Sequence, residues 1–343
     1  MLKTYVSKVY NVIRPLYEIL RGKIIFTKNR IIQYCEKYIT SWWQIAAIIS
    51  FVIIFLYYPI GGMMIHNIDT SSSYRPQTED GRFASIDMIS HLINREAHHK
   101  IWTPNLPILF PSYFLDNMPS FQLGLMSSIG KTASALNHLT LSITSKTATE
   151  NLNEAIELLQ YPGNIWLLSP QNHLPAPSSA SQYKKGRKKL NNFNQEIAAG
   201  TTKIDITPQN LSVILHLIIK DLNSLIAKNE DHIRENNQSL LDLKSDDIFY
   251  FAQGKAYGYY QILKALTSDF KPLLITENIY QQWTSMLNLL EKASDLNPLI
   301  IRNGKPNSSF TPNHLIAINN YISQTVNRLN SIKINLTPNM DHQ

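Results

Sequence analysis

Cysteine, charge and catalytic signatures are what this chain has least of. One cysteine in 343 residues excludes an internal disulfide framework and any zinc cluster built on cysteines. Charged residues make up only 17 % and apolar residues 44 %, so the chain is no polyelectrolyte and can bury a core. There is no GxSxG elbow and no HExxH pair. Gly254-Lys255 lacks the preceding glycine that a phosphate loop needs. Strand signals are also sparse: Asn303-Gly304, the one Asn-Gly pair, lies in a loop before Pro306 rather than between alternating segments. No cofactor and no metal site is expected.

What charge there is sits at one end. Residues 1–40 hold eight cations (Lys3, Lys8, Arg14, Arg21, Lys23, Lys28, Arg30 and Lys37) against Glu18 and Glu36. Of the net charge of +7, +6 therefore lies there, and the other 303 residues carry +1. The basic character describes a short segment and not the body, so no nucleic-acid partner is expected. Tyr5, Val6, Val9, Ile13, Leu16, Tyr17 and Leu20 recur at helical spacing among the first cations. A basic amphipathic helix on anionic inner-leaflet lipids fits this pattern, with each cation near the surface worth about 1 kcal/mol. A cytoplasmic helix packing on itself or on a partner fits it too.

No Lys, Arg, Asp or Glu occurs from Tyr38 to Ile68. As a helix, residues 42–63 would be about 33 Å long, enough for a hydrocarbon core of about 30 Å. Trp42 and Trp43 flank one end, Tyr57 and Tyr58 the other, as interfacial aromatic belts do. The basic flank and the apolar stretch are both too long for a cleaved leader, and no small-x-small site follows. The expectation is an uncleaved signal anchor. Residues 1–41 would be cytoplasmic, 42–64 a single transmembrane helix, 65–82 a polar, breaker-rich tether, and 83–336 an exported domain. In a bacterial cell that places the domain in the periplasm, with Cys35 left inside.

Helix signals dominate beyond the tether. Apolar residues recur at spacings of three and four over 83–98, 121–140, 211–232, 277–295 and 315–334. Thr207-Pro208 and Thr311-Pro312 each place a hydroxyl at an N-cap and proline at the first helical position. Ser245-Asp246-Asp247 puts a cap and acid charge on another first turn. The fold expected is all-α, a bundle of about seven or eight helices. A proline-rich loop over 161–178 is a candidate divide between subdomains.

The densest segment is 102–124, WTPNLPILFPSYFLDNMPSFQLG. Its prolines make a rigid, non-regular path. Trp102, Phe110, Tyr113, Phe114 and Phe121 supply aromatic surface, with Trp102, Phe110 and Phe121 the candidate binding aromatics; Asp116, Asn117 and Gln122 supply hydrogen-bonding groups. The aromatics either clamp the loop onto the bundle or line a groove for a partner. Asp116-Asn117-Met118-Pro119 also reads as a cap-and-turn before a helix. His91, Glu96, His98 and His99 lie close together but match no zinc spacing, so a solvated helix end is the simpler reading. Lys184, Lys185, Arg187, Lys188 and Lys189 read as a solvated helix face or a contact with anionic head groups.

Trp102-Thr103-Pro104-Asn105 with Pro107, Leu115-Asp116-Asn117-Met118-Pro119 with Phe121-Gln122 and Gly124, and Asp247-Ile248-Phe249-Tyr250 with Gly254, Ala256-Tyr257 and Tyr259-Tyr260 form a recognisable set. With Asn303-Gly304 and His314-Leu315, they resemble the bacterial family called domain of unknown function 2333. The resemblance implies a bacterial envelope location and a single inner-membrane span. It supplies no activity and no catalytic residue. The function expected is a membrane-anchored envelope protein that acts by binding, as a scaffold or accessory subunit with an envelope protein partner. The alternative is an enzyme on envelope polymers or lipids that uses Asp116, or another acid, beside the aromatic loop 102–122.

Overall fold

The computed structural model describes residues 15, 18, 21–30, 33, 42–140, 145–169, 174–236, 242, 244–298, 300–303 and 313–337. The chain forms two compact units, Met1–Gly61 and Gly62–Gln343. In the first, residues 21–30 are helical and exposed. Four of the basic residues, Arg21, Lys23, Lys28 and Arg30, are on this segment; Lys3, Lys8, Arg14 and Lys37 lie outside the described residues. Helix α1, Trp42–Ile65, has 24 residues with no acid in its first turn and no base in its last. It is long and apolar enough to cross a membrane.

The second unit is all-helical: α2 (Ala84–Asn94), α3 (Asn117–Leu136), α4 (Lys146–Leu159), α5 (Ser179–Ala198), α6 (Pro208–Asn236), α7 (Ser245–Asp269), α8 (Lys271–Thr276), α9 (Tyr280–Ser294) and α10 (His314–Leu336). Eight of these nine described helices have 11 residues or more. Helix α6 also has the length and apolarity of a span, but Leu211, Ile214, Leu215, Ile218 and Leu222 are buried in the core.

Helix α7 is the axis, with α2, α3, α9 and α10 packed around it. The α4–α5 pair packs on α2 and α3, and α6 pairs with α10. Small residues let α3 and α7 approach closely. A Cβ on Gly124 would collide with the Phe251 carbonyl, one on Gly254 with the Phe121 carbonyl, and one on Gly258 with Ser128 Oγ. The backbones therefore touch, and Phe249, Tyr257 and Tyr259 fill the flanks fully buried. Each such side chain contributes roughly 1.5–3 kcal/mol of burial energy.

Caps explain most helix starts. Ser145, Ser178 and Thr207 accept the Ala148, Ser181 and Asn210 N–H groups. At α10 the cap is Asn313, which accepts from Ile316 N; Thr311-Pro312 lies outside the described residues. Ser245 is the first residue of α7 and donates to Asp242 at 2.7 Å instead of capping. The helix expected over 277–295 is α9, which begins at Tyr280 after the break that follows α8. The loop at 161–178 does not divide the domain, since residues 62–343 form one unit. Within it Leu168 and Pro175 form an isolated antiparallel bridge.

Candidate functional site

The segment that leaves α1 is strapped to the helices. Lys100 Nζ donates to Asn67 O at 2.7 Å. Ser71 O accepts from Gln261 Nε2 at 3.0 Å and from the Tyr257 hydroxyl at 3.3 Å, and Lys264 Nζ donates to Ser72 O. Backbone carbonyls of the segment expected as a tether are thus the acceptors for Lys100 and for side chains of α7.

Under the strap lies a buried charge network. After α2 the chain makes a π-turn, Arg95–His99, closed by Lys100 N donating to Arg95 O at 2.9 Å. The wider turn brings Arg95, Glu96 and Lys100 together. Glu96 is fully buried. Its Oε1 accepts from Arg95 Nε at 2.8 Å and Lys100 Nζ at 3.0 Å. Its Oε2 accepts from Gln122 Nε2 at 3.3 Å. Arg95 Nη1 donates to the Tyr257 hydroxyl at 2.8 Å and lies 3.5 Å from Asp69. The guanidinium carbon lies 5.1 Å and 5.0 Å from the ring centres of Tyr74 and Tyr257. Burial pulls Arg95 down, but Glu96, Tyr257 and Asp69 more than offset it and the group stays charged. Burial holds Lys100 below its ordinary value against the pull of Glu96. The solvated helix end expected here holds for His98 and His99, which are exposed. Glu96 is instead the centre of the network, and sequence spacing cannot show this because Gln122 and Tyr257 come from distant helices.

Of the six site residues expected in the aromatic segment, three are interior. Trp102 is 7 % exposed; its Nε1 donates to Gly163 O at 2.9 Å and its ring meets Tyr183 edge-on. Phe121 is fully buried against Tyr257. Gln122 staples the loop: Oε1 accepts from Thr103 N and Oγ1 at 2.9 and 2.8 Å, and Nε2 donates to Ile101 O at 3.0 Å. Asp116 is exposed and accepts from Asn117 N at the start of α3. Asn117 is half-buried. Phe110 is half-buried with its ring edge-on to Trp166. That contact joins two loops, as does Asn105 Nδ2 donating to Asn164 O at 2.6 Å.

The joined loops turn apolar side chains outward. Leu109 is 78 % and Phe114 66 % exposed, with Ile101, Ile108 and Tyr113 beside them in sequence; Leu167, Leu168 and Leu174 do the same on the second loop. These three leucines carried no periodic signal, only their place in an uncharged stretch.

Residues 105–235 and 217–337 match the model of a protein family described as uncharacterised and conserved in bacteria, domain of unknown function 2333 (DUF2333). The chain belongs to this family. Comparison with curated proteins returns no match, and comparison with solved structures returns none. The DUF2333 match covers α3 to α10, including the Gly124–Gly254 crossing, Gln122 and the Leu167–Leu174 region; α1 and the strap precede it.

Two further polar groupings lie in the DUF2333 region. Lys255 Nζ donates to Asp221 at 2.8 Å and Tyr259 OH donates to the same oxygen at 2.7 Å. Burial pulls Lys255 down against the pull of Asp221, and full burial with the Asp221 charge holds the Tyr259 hydroxyl protonated. Near Asp116, burial and then the Asp116 charge push Asp246 up, while Asp247 accepts from Ser120 Oγ at 2.8 Å. On α5, Lys184, Lys185 and Lys188 are exposed, Arg187 is half-buried, and Lys189 pairs with Glu154 at 2.7 Å.

Proposed function

We propose that this bacterial protein crosses the inner membrane once, with residues 1–41 in the cytoplasm and the helical domain 83–336 in the periplasm. In this reading it acts by binding, as a scaffold or accessory subunit. The orientation rests on the cationic flank before α1, because basic segments stay on the cytoplasmic side. The binding role rests on one observation, the apolar surface turned outward by the loops around Tyr113 and Leu168, since contiguous exposed apolar patches mark contact sites. Photo-crosslinking in cells from a reactive amino acid at Tyr113 or Leu168 tests it, with exposed Ser285 as control. Adducts at the first two positions alone are expected. Equal yields at all three overturn the binding role. Orientation is read separately: a Ser285→Cys protein should react with an impermeant maleimide in intact cells while Cys35 stays protected.

The Asp116–Asp246 pair favours a second reading, an enzyme on envelope polymers or lipids. Two neighbouring carboxyls with one pushed up are a candidate acid and base. Turnover of cell-wall fragments by the full chain, lost in Asp116→Asn, would establish it.

A further inference from the structure

The outward apolar surface lies beside a third uncharged stretch. No Lys, Arg, Asp or Glu occurs from Ile101 to Leu115, nor from Gln160 to Tyr183, nor from Tyr38 to Ile68. The loops from the first two meet at Phe110 and Trp166, 5.9 Å between ring centres. The third reaches them through Gly62, the buried residue of α1. A Cβ there would lie 3.6 Å from Pro111 O and 3.7 Å from a Leu115 methyl. Pro111 opens the short helical turn, Pro111–Phe114, that carries Tyr113 and Phe114. The loop thus packs against the last turn of the apolar helix.

The connection after α1 is short and tied to the helical unit. Only residues 66–68 separate Ile65 from Asp69, which spans at most about 14 Å. Asn67, Ser71 and Ser72 are bound to Lys100, Gln261 and Lys264. Exposed leucines and aromatics held at the end of a spanning helix match the composition that settles at the boundary of head groups and acyl chains.

We propose that the face formed by residues 108–114 with Leu167, Leu168 and Leu174 is a membrane seat, inserted into the near leaflet of the bilayer that α1 crosses. The occupant of the binding surface is therefore lipid, and the strap and the seat together fix the domain on the membrane. The inference rests on the reading of α1 as a span.

The test is depth measurement on the full chain in phosphatidylcholine–phosphatidylglycerol vesicles with no other protein present. With Cys35→Ser as background, a spin label is placed singly at Tyr113, Leu168, Ser285 or Ile53, and collisions with oxygen and with a water-soluble nickel chelate are compared. Labels at Tyr113 and Leu168 should show an oxygen-to-nickel ratio several-fold above that at Ser285. If Ile53 is in hydrocarbon while Tyr113 and Leu168 match Ser285, the seat is wrong and the face is left for a protein partner. If Ile53 itself is aqueous, the reading of α1 fails, and the seat with it. A ratio at Leu168 that falls to the Ser285 level in high salt also overturns the seat, because insertion driven by apolar burial survives screening.

Discussion

Arg95 and Tyr257 are bound twice. Nη1 donates to the Tyr257 hydroxyl at 2.8 Å, and the guanidinium carbon stands 5.0 Å from the centre of the same ring. Because Tyr257 also donates to Ser71 O, the pair couples the strap to the charge network. Arg95→Met removes one partner of a buried pair and leaves Glu96 to Lys100 and Gln122. A loss of about 3–5 kcal/mol is expected, with faster proteolysis between residues 69 and 82. Tyr257→Phe removes only the hydroxyl and should cost about 1–2 kcal/mol. Denaturant titration of the full chain in detergent measures both. An Arg95→Met protein as stable as the parent would show that the network does not hold the domain.

The α3–α7 crossing makes a sharper prediction. Alanine normally improves a helix over glycine by about 1 kcal/mol. At Gly124 and Gly254 the added methyl meets a backbone carbonyl, which has no rotamer to move away. Overpacking of this kind costs about 1–3 kcal/mol or more, so Gly254→Ala and Gly124→Ala should each lower the thermal midpoint. A raised midpoint would mean that the helices can separate without loss.

Much of this architecture is legible in the sequence where it depends on neighbours along the chain. The uncharged run marks α1, Thr207-Pro208 marks the start of α6, and Asp116 marks the start of α3. Helices α4 and α5 are harder to see, because their buried residues are few and set among polar ones. The long-range partners are not visible at all. Trp102, Phe121 and Gln122 fit a clamp onto the bundle or a groove, and no spacing rule reveals that Gly163, Tyr257 and Thr103 are their partners inside. The outward face likewise needs two loops some 60 residues apart to meet, as Asn105 and Asn164 do.

The Lys255–Asp221 pair separates charge burial from packing. Lys255 and Asp221 have side chains only 6 % and 11 % exposed. Lys255→Met alone leaves the carboxylate unpaired and should cost about 3–5 kcal/mol. Lys255→Met with Asp221→Leu removes both charges and should recover most of that loss. The double-mutant cycle checks it, since residues in contact are not additive. If the double variant is no more stable than the single one, the Tyr259 hydroxyl, which also donates to Asp221, is the group that needs the carboxylate.

Acid titration should report on Asp269. Its carboxylate caps α2 from the end of α7, accepting from Ala84 N at 2.7 Å and Ser85 N at 2.9 Å. Burial outweighs these hydrogen bonds and pushes it up to about 6 from 3.8. A carboxyl that holds its proton more tightly when folded stabilises the fold fully below the unfolded value, and the contribution is lost as pH rises through 6. The rise corresponds to about 3 kcal/mol between pH 4 and 6. Asp242 has the opposite sign, because hydrogen bonds from Ser245, His232 and Asn303 outweigh its burial and hold it low. The quantity to measure is therefore the difference between parent and Asp269→Asn, which cannot ionise. That difference should move in favour of the variant as pH rises from 4 to 6, read by thermal unfolding of the full chain in detergent. A difference that stays flat would mean that the carboxylate is ionised throughout, its charge held by the α2 N–H groups more strongly than burial opposes it.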